Sequence, residues 1–290
     1  MIEKKAYAKV NLGLDIVGRR DDGYHLVKMI MQSLDIYDTL TFEKQEQNID
    51  ITLAGEGGQG LSLGEDNLIF KAAKVISEKA SYIGGIKITL NKNIPIAAGM
   101  AGGSSDCAAT LKGVNELLGA GLTERELMEI GVKLGADVPY CIMGGTALSE
   151  GIGEELTKLT PLPECTFVVA KPIVSVSTAE AYGGYDRLAD SGSEIPHPDI
   201  DGQVEALSTG DLEGVTSHFG NVLEYVTAPL HPEIAALEKL MKEGGAMNSM
   251  MSGSGPTVFG IFKNRETAEE AAKKIEESGL ANQLFVTTAV

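Results

Sequence analysis

Between Pro95 and Leu111 the chain reads P-I-A-A-G-M-A-G-G-S-S-D-C-A-A-T-L. An alternating segment, residues 86–90, precedes it, and Leu111, Val114 and Leu118 follow at helical spacing. A strand, a glycine-rich turn and a helix must therefore succeed one another here. Glycine reaches backbone conformations that a Cβ obstructs, so such a turn can expose several N–H groups. The helix start adds unpaired donors and a positive dipole end, and together these make a cradle for an anion, most naturally phosphate. The same residues also read as a flexible loop capped by Ser104 or Ser105. Cys107, Ala108 and Ala109 are small enough to let the first turns pack closely against a neighbouring element.

The 290 residues leave room for two domains, and Pro161-Leu162-Pro163 is the best linker, dividing the chain into 1–160 and 161–290. The net charge of −17 argues against nucleic acid or an anionic membrane as partner. The charge is uneven: residues 1–145 carry 15 basic and 19 acidic side chains, whereas residues 146–290 carry 9 and 22. A polyanion is easier to place in the first half, where the glycine loop lies. No apolar run is long enough to span a bilayer, and Met1-Ile2-Glu3-Lys4-Lys5 lacks the apolar stretch of a signal peptide, so a cytoplasmic protein is expected. Three dispersed cysteines, Cys107, Cys141 and Cys165, form neither a disulfide framework nor a zinc motif.

From Ala8 to Ile16 apolar residues alternate with Lys9, Asn11, Gly13 and Asp15, a strand with one buried face. Lys9 and Asn11 share the other face, toward water or a cleft. The Asp22-Gly23 bend leads into a second strand over 27–36, and residues 40–44 and 49–54 pattern as a hairpin. Gly55–Gly60 matches G-x-G-x-x-G, yet a loop follows instead of a helix, so it is a surface turn. Helices are expected from Asp66 or Asn67 to about Ser81, and from Thr123, with a capping box to Glu126, to Leu134, with Gly135 beyond its end. In the second half, strands at 166–170, 257–262 and 284–288 alternate with helices near 178–182, 211–226, 232–243 and 265–278. Residues 190–203 pattern as a loop. Helices on a small sheet make this half α+β.

No G-x-x-x-x-G-K-[ST] and no protein-kinase signature occurs, so phosphate chemistry would need another scaffold. Phosphoryl transfer requires a held polyphosphate, an oriented nucleophile and cations. Lys9 reads either as a solvated lysine or as a contact for a phosphoryl oxygen. Asp137 reads either as the cap of a turn entered through Pro139 or as a reactive carboxylate. Asp106 complements the helix dipole, and Ser104 and Ser105 are caps or Mg²⁺ ligands. His25 beside Tyr24 is either an ordinary half-buried histidine or part of a ring-binding pair, and Ser177 or Thr178 can cap a helix.

These residues resemble the GHMP kinases, small-molecule kinases that lack a P-loop. The likeness rests on the 95–111 segment, on Ser252-Gly253-Ser254-Gly255-Pro256-Thr257-Val258-Phe259-Gly260, on Ala6-Tyr7-Ala8-Lys9-Val10-Asn11-Leu12-Gly13-Leu14, on Arg20-Asp21-Asp22-Gly23-Tyr24-His25 and on Gly135-Ala136-Asp137-Val138-Pro139. It spans nearly the whole chain. The resemblance implies an α+β fold of two domains, a ribosomal-protein-like nucleotide domain and a ferredoxin-like C-terminal domain, with the site in the cleft between them. The D-G-Y-H block further implies ATP-dependent phosphorylation of the 2-hydroxyl of 4-(cytidine 5′-diphospho)-2-C-methyl-D-erythritol, with Mg²⁺.

On this resemblance ATP lies on Pro95, Ile96, Ala97, Ala98, Gly99, Met100, Ala101, Gly102, Gly103, Ser104 and Ser105, the helix from Ser105 pointing at its phosphates. Asp137 is the general base, and Lys9 holds it ionised and stabilises the transferring group. Asn11 and Thr178 contact substrate, Tyr24 and Tyr182 sandwich the cytosine, and His25 reads its edge. Ser105, and less so Glu150, is a metal-ligand candidate. Two departures stand out. Ala101 replaces a family glycine, a strain on the order of 1 kcal/mol if its φ is positive. Tyr182 stands where a phenylalanine is usual, which preserves stacking. A kinase for homoserine, mevalonate or a sugar would not need Tyr24, His25 and Tyr182, and a silent nucleotide-binding protein would not need Lys9 together with Asp137.

Overall fold

The computed structural model describes residues 1–290. In chain order the elements are β1 (Ile2–Arg19), β2 (His25–Gln45), β3 (Ile49–Ala54), α1 (Leu68–Lys79), β4 (Gly85–Asn91), α2 (Gly102–Leu118), α3 (Glu124–Gly131), α4 (Val138–Met143), β5 (Thr146–Glu150), β6 (Glu155–Lys158) and β7 (Thr166–Lys171). Then follow α5 (Thr178–Asp190), α6 (Ile200–Thr209), α7 (Leu212–Ser217), α8 (Glu224–Thr227), α9 (Pro232–Glu243), β8 (Asn248–Met251), β9 (Val258–Phe262), α10 (Arg265–Ser278) and β10 (Gln283–Thr287). The chain divides into two compact units. One comprises 1–8, 36–96 and 101–144, the other 9–35, 97–100 and 145–290.

In the first unit β4 lies between β2 and β3: antiparallel to β2 (Thr39↔Asn91 to Gln45↔Gly85) and parallel to β3 (Ile49↔Ile86 to Ala54↔Asn91). The expected hairpin of 40–44 with 49–54 is therefore corrected. β3 instead belongs to a β3–α1–β4 crossover, the connection that parallel neighbours require. Helices α1 to α4 bury their apolar stripes with this sheet in one core that includes Leu40, Phe42, Ile69, Ile76, Ile86, Ile88, Leu111 and Val114. Gly113 is glycine because the Phe42 ring occupies the space of its Cβ. Asn67 caps α1 by accepting from the Ile69 amide at 2.8 Å, and Thr123 and Glu126 form the full capping box of α3. α3 closes at Val132, so Gly135 does not terminate it. Residues 55–67 are turn and bend, with no helix at the end of the Gly55–Gly60 stretch.

In the second unit the turn at 20–24 joins β1 to β2, which pair. The Arg20 amide donates to the Tyr24 carbonyl at 2.7 Å, and Gly23 takes φ 91°, a conformation a side chain would strain. Both faces of 8–16 are buried, so the alternation there marks two kinds of interior. β5 pairs antiparallel with β2 and β6 with β5, while β7 to β10 form a separate antiparallel sheet in the order β10-β7-β9-β8. With helices following β7 and α10 following β9, this is the βαββαβ pattern of a ferredoxin-like fold. Phe167, Phe259, Ile234, Leu237 and Ile275 are fully buried there. Residues 190–203 are not loop throughout: Asp199 accepts from the Gly202 amide at 2.8 Å and starts α6 at Ile200. The single helix expected over 211–226 is divided into α7 and α8.

Candidate active site

In the first unit α2 begins at Gly102, three residues before the expected start, so Ser104 and Ser105 lie inside the helix and cap nothing. The cap position is Ala101, at φ 54° and ψ 28°, with no side-chain cap. The first intrahelical bond runs from the Ser105 amide to the Ala101 carbonyl, 2.8 Å. The amides of Gly102, Gly103 and Ser104 precede it and are the helix's free donors. A Cβ on Gly103 would meet open space, so this end faces outward. Ser105 is buried and its hydroxyl donates to the Tyr7 carbonyl at 2.7 Å.

Beneath this helix end lies a charge cluster that local sequence reasoning missed. Asp38 accepts the amides of Asn93 (2.5 Å) and Ile94 (2.8 Å), and its other oxygen pairs with Lys92. The Lys92 ammonium also reaches Asp106 Oδ2 at 2.7 Å. One buried cluster thus ties the end of β4 to α2. Burial pushes the Asp106 carboxyl up to about 8 against the pull of Lys92, and its Oδ1 has no partner.

Asp137 sits at the N-cap position of α4 at φ −80° and ψ −11°, and its side chain makes no capping hydrogen bond. The cap reading therefore does not hold, and the carboxyl is half-buried. Its short helix is steadied at the other end, where Lys112 donates to the Ile142 carbonyl at 2.5 Å.

In the second unit Lys9 and Asn11 share a face, as their spacing requires, but that face is not water: they are 5% and 0% exposed. Lys9 Nζ donates to Asn11 Oδ1 at 2.7 Å. The Asn11 backbone N–H donates to Ser252 Oγ at 3.3 Å, and Ser252 Oγ in turn donates to the Gly99 carbonyl at 3.1 Å. Gly99 must be glycine twice over, because its φ is 71° and the Ser252 carbonyl fills the place of its Cβ. Within the loop Ile96 and Ala97 are exposed, while Pro95, Ala98 and Met100 turn inward and hold its shape. Asn221 fixes the 252–254 turn by donating to the Met251 (2.9 Å) and Gly253 (2.8 Å) carbonyls.

Of the two cap candidates for α5, Thr178 lies inside the helix and meets Ser254, hydroxyl to hydroxyl at 3.1 Å. The cap position is Ser177. His25 lies on Tyr182 with ring centroids 4.9 Å apart and tilted by 38°. Tyr24 projects outward, 59% exposed. Behind β8, the Met251 amide donates to Glu224 Oε2 at 2.9 Å. Burial and the neighbouring Glu224 push the Glu238 carboxyl up to about 8, and burial raises Glu224 as well. No group of three or more His, Cys, Asp or Glu side chains could hold a metal.

A glycine loop opening a helix, on an α+β fold with a ferredoxin-like second sheet, defines a phosphate-handling enzyme without a P-loop. The family models for the GHMP kinases N terminal domain and the GHMP kinases C terminal match residues 67–145 and 203–280. The 4-diphosphocytidyl-2-C-methyl-D-erythritol kinase of Lachnospira eligens is 48% identical over 286 residues, covering 99% of this chain and 97% of that one. The protein of the same name from Lachnoclostridium phytofermentans is 47% identical, with the same coverage. A crystal structure of 4-(cytidine 5′-diphospho)-2C-methyl-D-erythritol kinase superposes with a TM-score of 0.82 at 32% identity over 99% of each chain. Homoserine kinase from Cytophaga hutchinsonii, at 21% identity and a TM-score of 0.77, shares the fold, covering 99% of this chain and 94% of that one. The chain belongs to the GHMP kinase family and is a small-molecule kinase.

Proposed function

We propose that this kinase transfers the γ-phosphoryl group of ATP to the 2-hydroxyl of 4-(cytidine 5′-diphospho)-2-C-methyl-D-erythritol, a step of non-mevalonate isoprenoid precursor synthesis in the cytoplasm. The observation that carries this reading is the 47–48% identity, over 99% of the chain, to relatives named for that substrate. On this reading residues 1–160 bind the nucleotide and 161–290 contribute to the substrate site, and neither nucleic acid nor membrane takes part.

The residues then act as follows. The free amides of Gly102, Gly103 and Ser104 receive phosphate oxygens, aided by the dipole of α2. Asp137 takes the proton of the attacking hydroxyl, a role worth about 10²–10⁴ in rate. Lys9 meets the charge spreading over the transferring phosphoryl oxygens, and Asn11, which already accepts from Lys9, orients both the ammonium and the hydroxyl. Tyr24 and Tyr182 flank the cytosine, His25 reads its edge, and Thr178 contributes beside Ser254. Mg²⁺, which neutralises phosphate charge when bound, takes few protein ligands. Ser105 fits that part: it spends its proton on the Tyr7 carbonyl and keeps its lone pairs for a cation.

The test mixes purified protein, MgATP and the cytidine-linked substrate and follows ADP release and the mass of the product. A gain of one phosphoryl group is expected. No product, with turnover of homoserine or mevalonate instead, would overturn the proposal.

A further inference from the structure

Helix α5 carries Tyr182 and, one turn on, Asp186, a residue to which the mechanism assigns no task. Asp186 Oδ1 lies 2.6 Å from His25 Nε2, and Oδ2 lies 3.4 Å from Arg19 Nη1. Arg19 Nε donates to the Gly23 carbonyl at 3.2 Å, which links the same carboxylate to the turn presenting Tyr24. The imidazole is held on its face by Tyr182, while Tyr185 meets it edge-on at 6.3 Å and 86°. His25 is thus fixed in position and in rotation. Its side chain is 13% exposed and that of Asp186 27% exposed, so the contact is sheltered from competing water.

We infer that Asp186 is a positioning residue that sets which hydrogen-bonding group His25 offers to the base of the substrate. The inference rests on the cytidine-linked substrate proposed above. An ionised carboxylate only accepts, so the imidazole nitrogen facing it must carry the hydrogen. In the neutral ring the other nitrogen, Nδ1, then keeps its lone pair. The ring offers an acceptor. Its complement is the exocyclic amine of cytosine, a donor; uracil presents a carbonyl at that position and leaves two acceptors face to face. A site built to pair with one such group rejects the analogue lacking it, because a sheltered polar atom is left unpaired. Arg19 keeps Asp186 from turning toward water, and the i, i+4 spacing of Tyr182 and Asp186 puts stacking wall and tautomer-setting acid on one helix face.

The experiment compares wild type, Asp186→Ala and Asp186→Asn with cytidine- and uridine-linked methylerythritol diphosphates as alternative acceptors, alongside ¹⁵N spectra of the four histidines, His25 being assigned with His25→Gln. Wild type should show His25 as the Nε2–H tautomer and strongly prefer the cytidine acceptor. Asp186→Ala should raise KM for that acceptor about tenfold, the worth of one ordinary hydrogen bond, with kcat and the KM for ATP within about twofold. The cytidine-to-uridine ratio should fall, and the His25 signal should become a tautomer mixture. Asp186→Asn keeps the shape but can accept or donate, so it should relax the ratio while melting like wild type. An Nδ1–H tautomer in wild type, or an unchanged ratio in both variants, would overturn the inference. So would equal losses of kcat, ATP affinity and thermal stability in Asp186→Asn, which would mark a purely structural residue. If wild type turns over neither acceptor, the substrate proposal fails, and the ¹⁵N spectra alone then decide the Asp186–His25 relation.

Discussion

Ala101 holds a left-handed backbone, φ 54° and ψ 28°, at the point where the glycine loop enters α2. Ala97 does the same at φ 51°. Such a conformation strains an L-residue by roughly 1–2 kcal/mol. Ala101→Gly should therefore stabilise the protein by about 0.5–1 kcal/mol in urea unfolding, after the greater freedom of glycine in the unfolded chain is subtracted. The residues proposed for catalysis and for base recognition give a contrasting pair. Asp137→Asn should lower kcat by at least about 10²-fold with ATP affinity retained, measured by turnover and by nucleotide titration. His25→Ala should raise KM for the acceptor far more than KM for ATP. Lys9 and Asn11 were legible as neighbours because period two fixes which residues share a strand face. That both are buried was not legible, since alternation distinguishes faces and not what covers them. Asp186 had a signal in its spacing from Tyr182, but an acidic residue on a helix is ordinarily solvated.

At the scale of elements, the glycine loop depends on what lies under its two ends. Lys92, Asp38 and Asp106 come from three separate segments, so no local pattern could have joined them. Lys92→Met should destabilise the protein by about 3–5 kcal/mol, because it leaves two buried carboxyls without a cation. Urea unfolding checks the size, and a larger effect at pH 9 than at pH 6 would show that ionised carboxyls are responsible. The caps of α1 and α3 were readable from sequence, since Asn67 and the Thr123–Glu126 box act within four residues. α6 escaped because Pro and Gly punctuation around 190–203 dominates the helix signal of a single Asp199. The hairpin reading of 40–54 failed for a related reason: short strands in sequence order suggest adjacency, and only the third dimension reveals β4 between them.

For the molecule as a whole, retained protons couple stability to pH. The folded state raises Asp106 from 3.8 and Glu238 from 4.5 to about 8 by burial, and raises Glu224 as well. The unfolded chain releases these protons near pH 4, so folding binds more protons than unfolding between about 4 and 8. Their contribution is fully present below the unfolded values and is lost as pH rises through 8. The net charge of −17 at pH 7 adds self-repulsion in the same direction. The melting temperature should therefore decline from pH 6 to pH 9, and Glu238→Gln should flatten that decline. The two-unit α+β plan was legible because its motifs are spread along the chain, whereas the interleaving of the units was not. The central place of β4 also dictates an order of events during synthesis. β3 can find its hydrogen-bonding partner only after residues 85–91 leave the ribosome, which at about 5–20 residues per second is a delay of seconds. During that interval Ile49-Asp50-Ile51-Thr52-Leu53 is an unpaired strand in a crowded cell, and the charge of Asp50 near its start guards it against pairing with a neighbouring nascent chain.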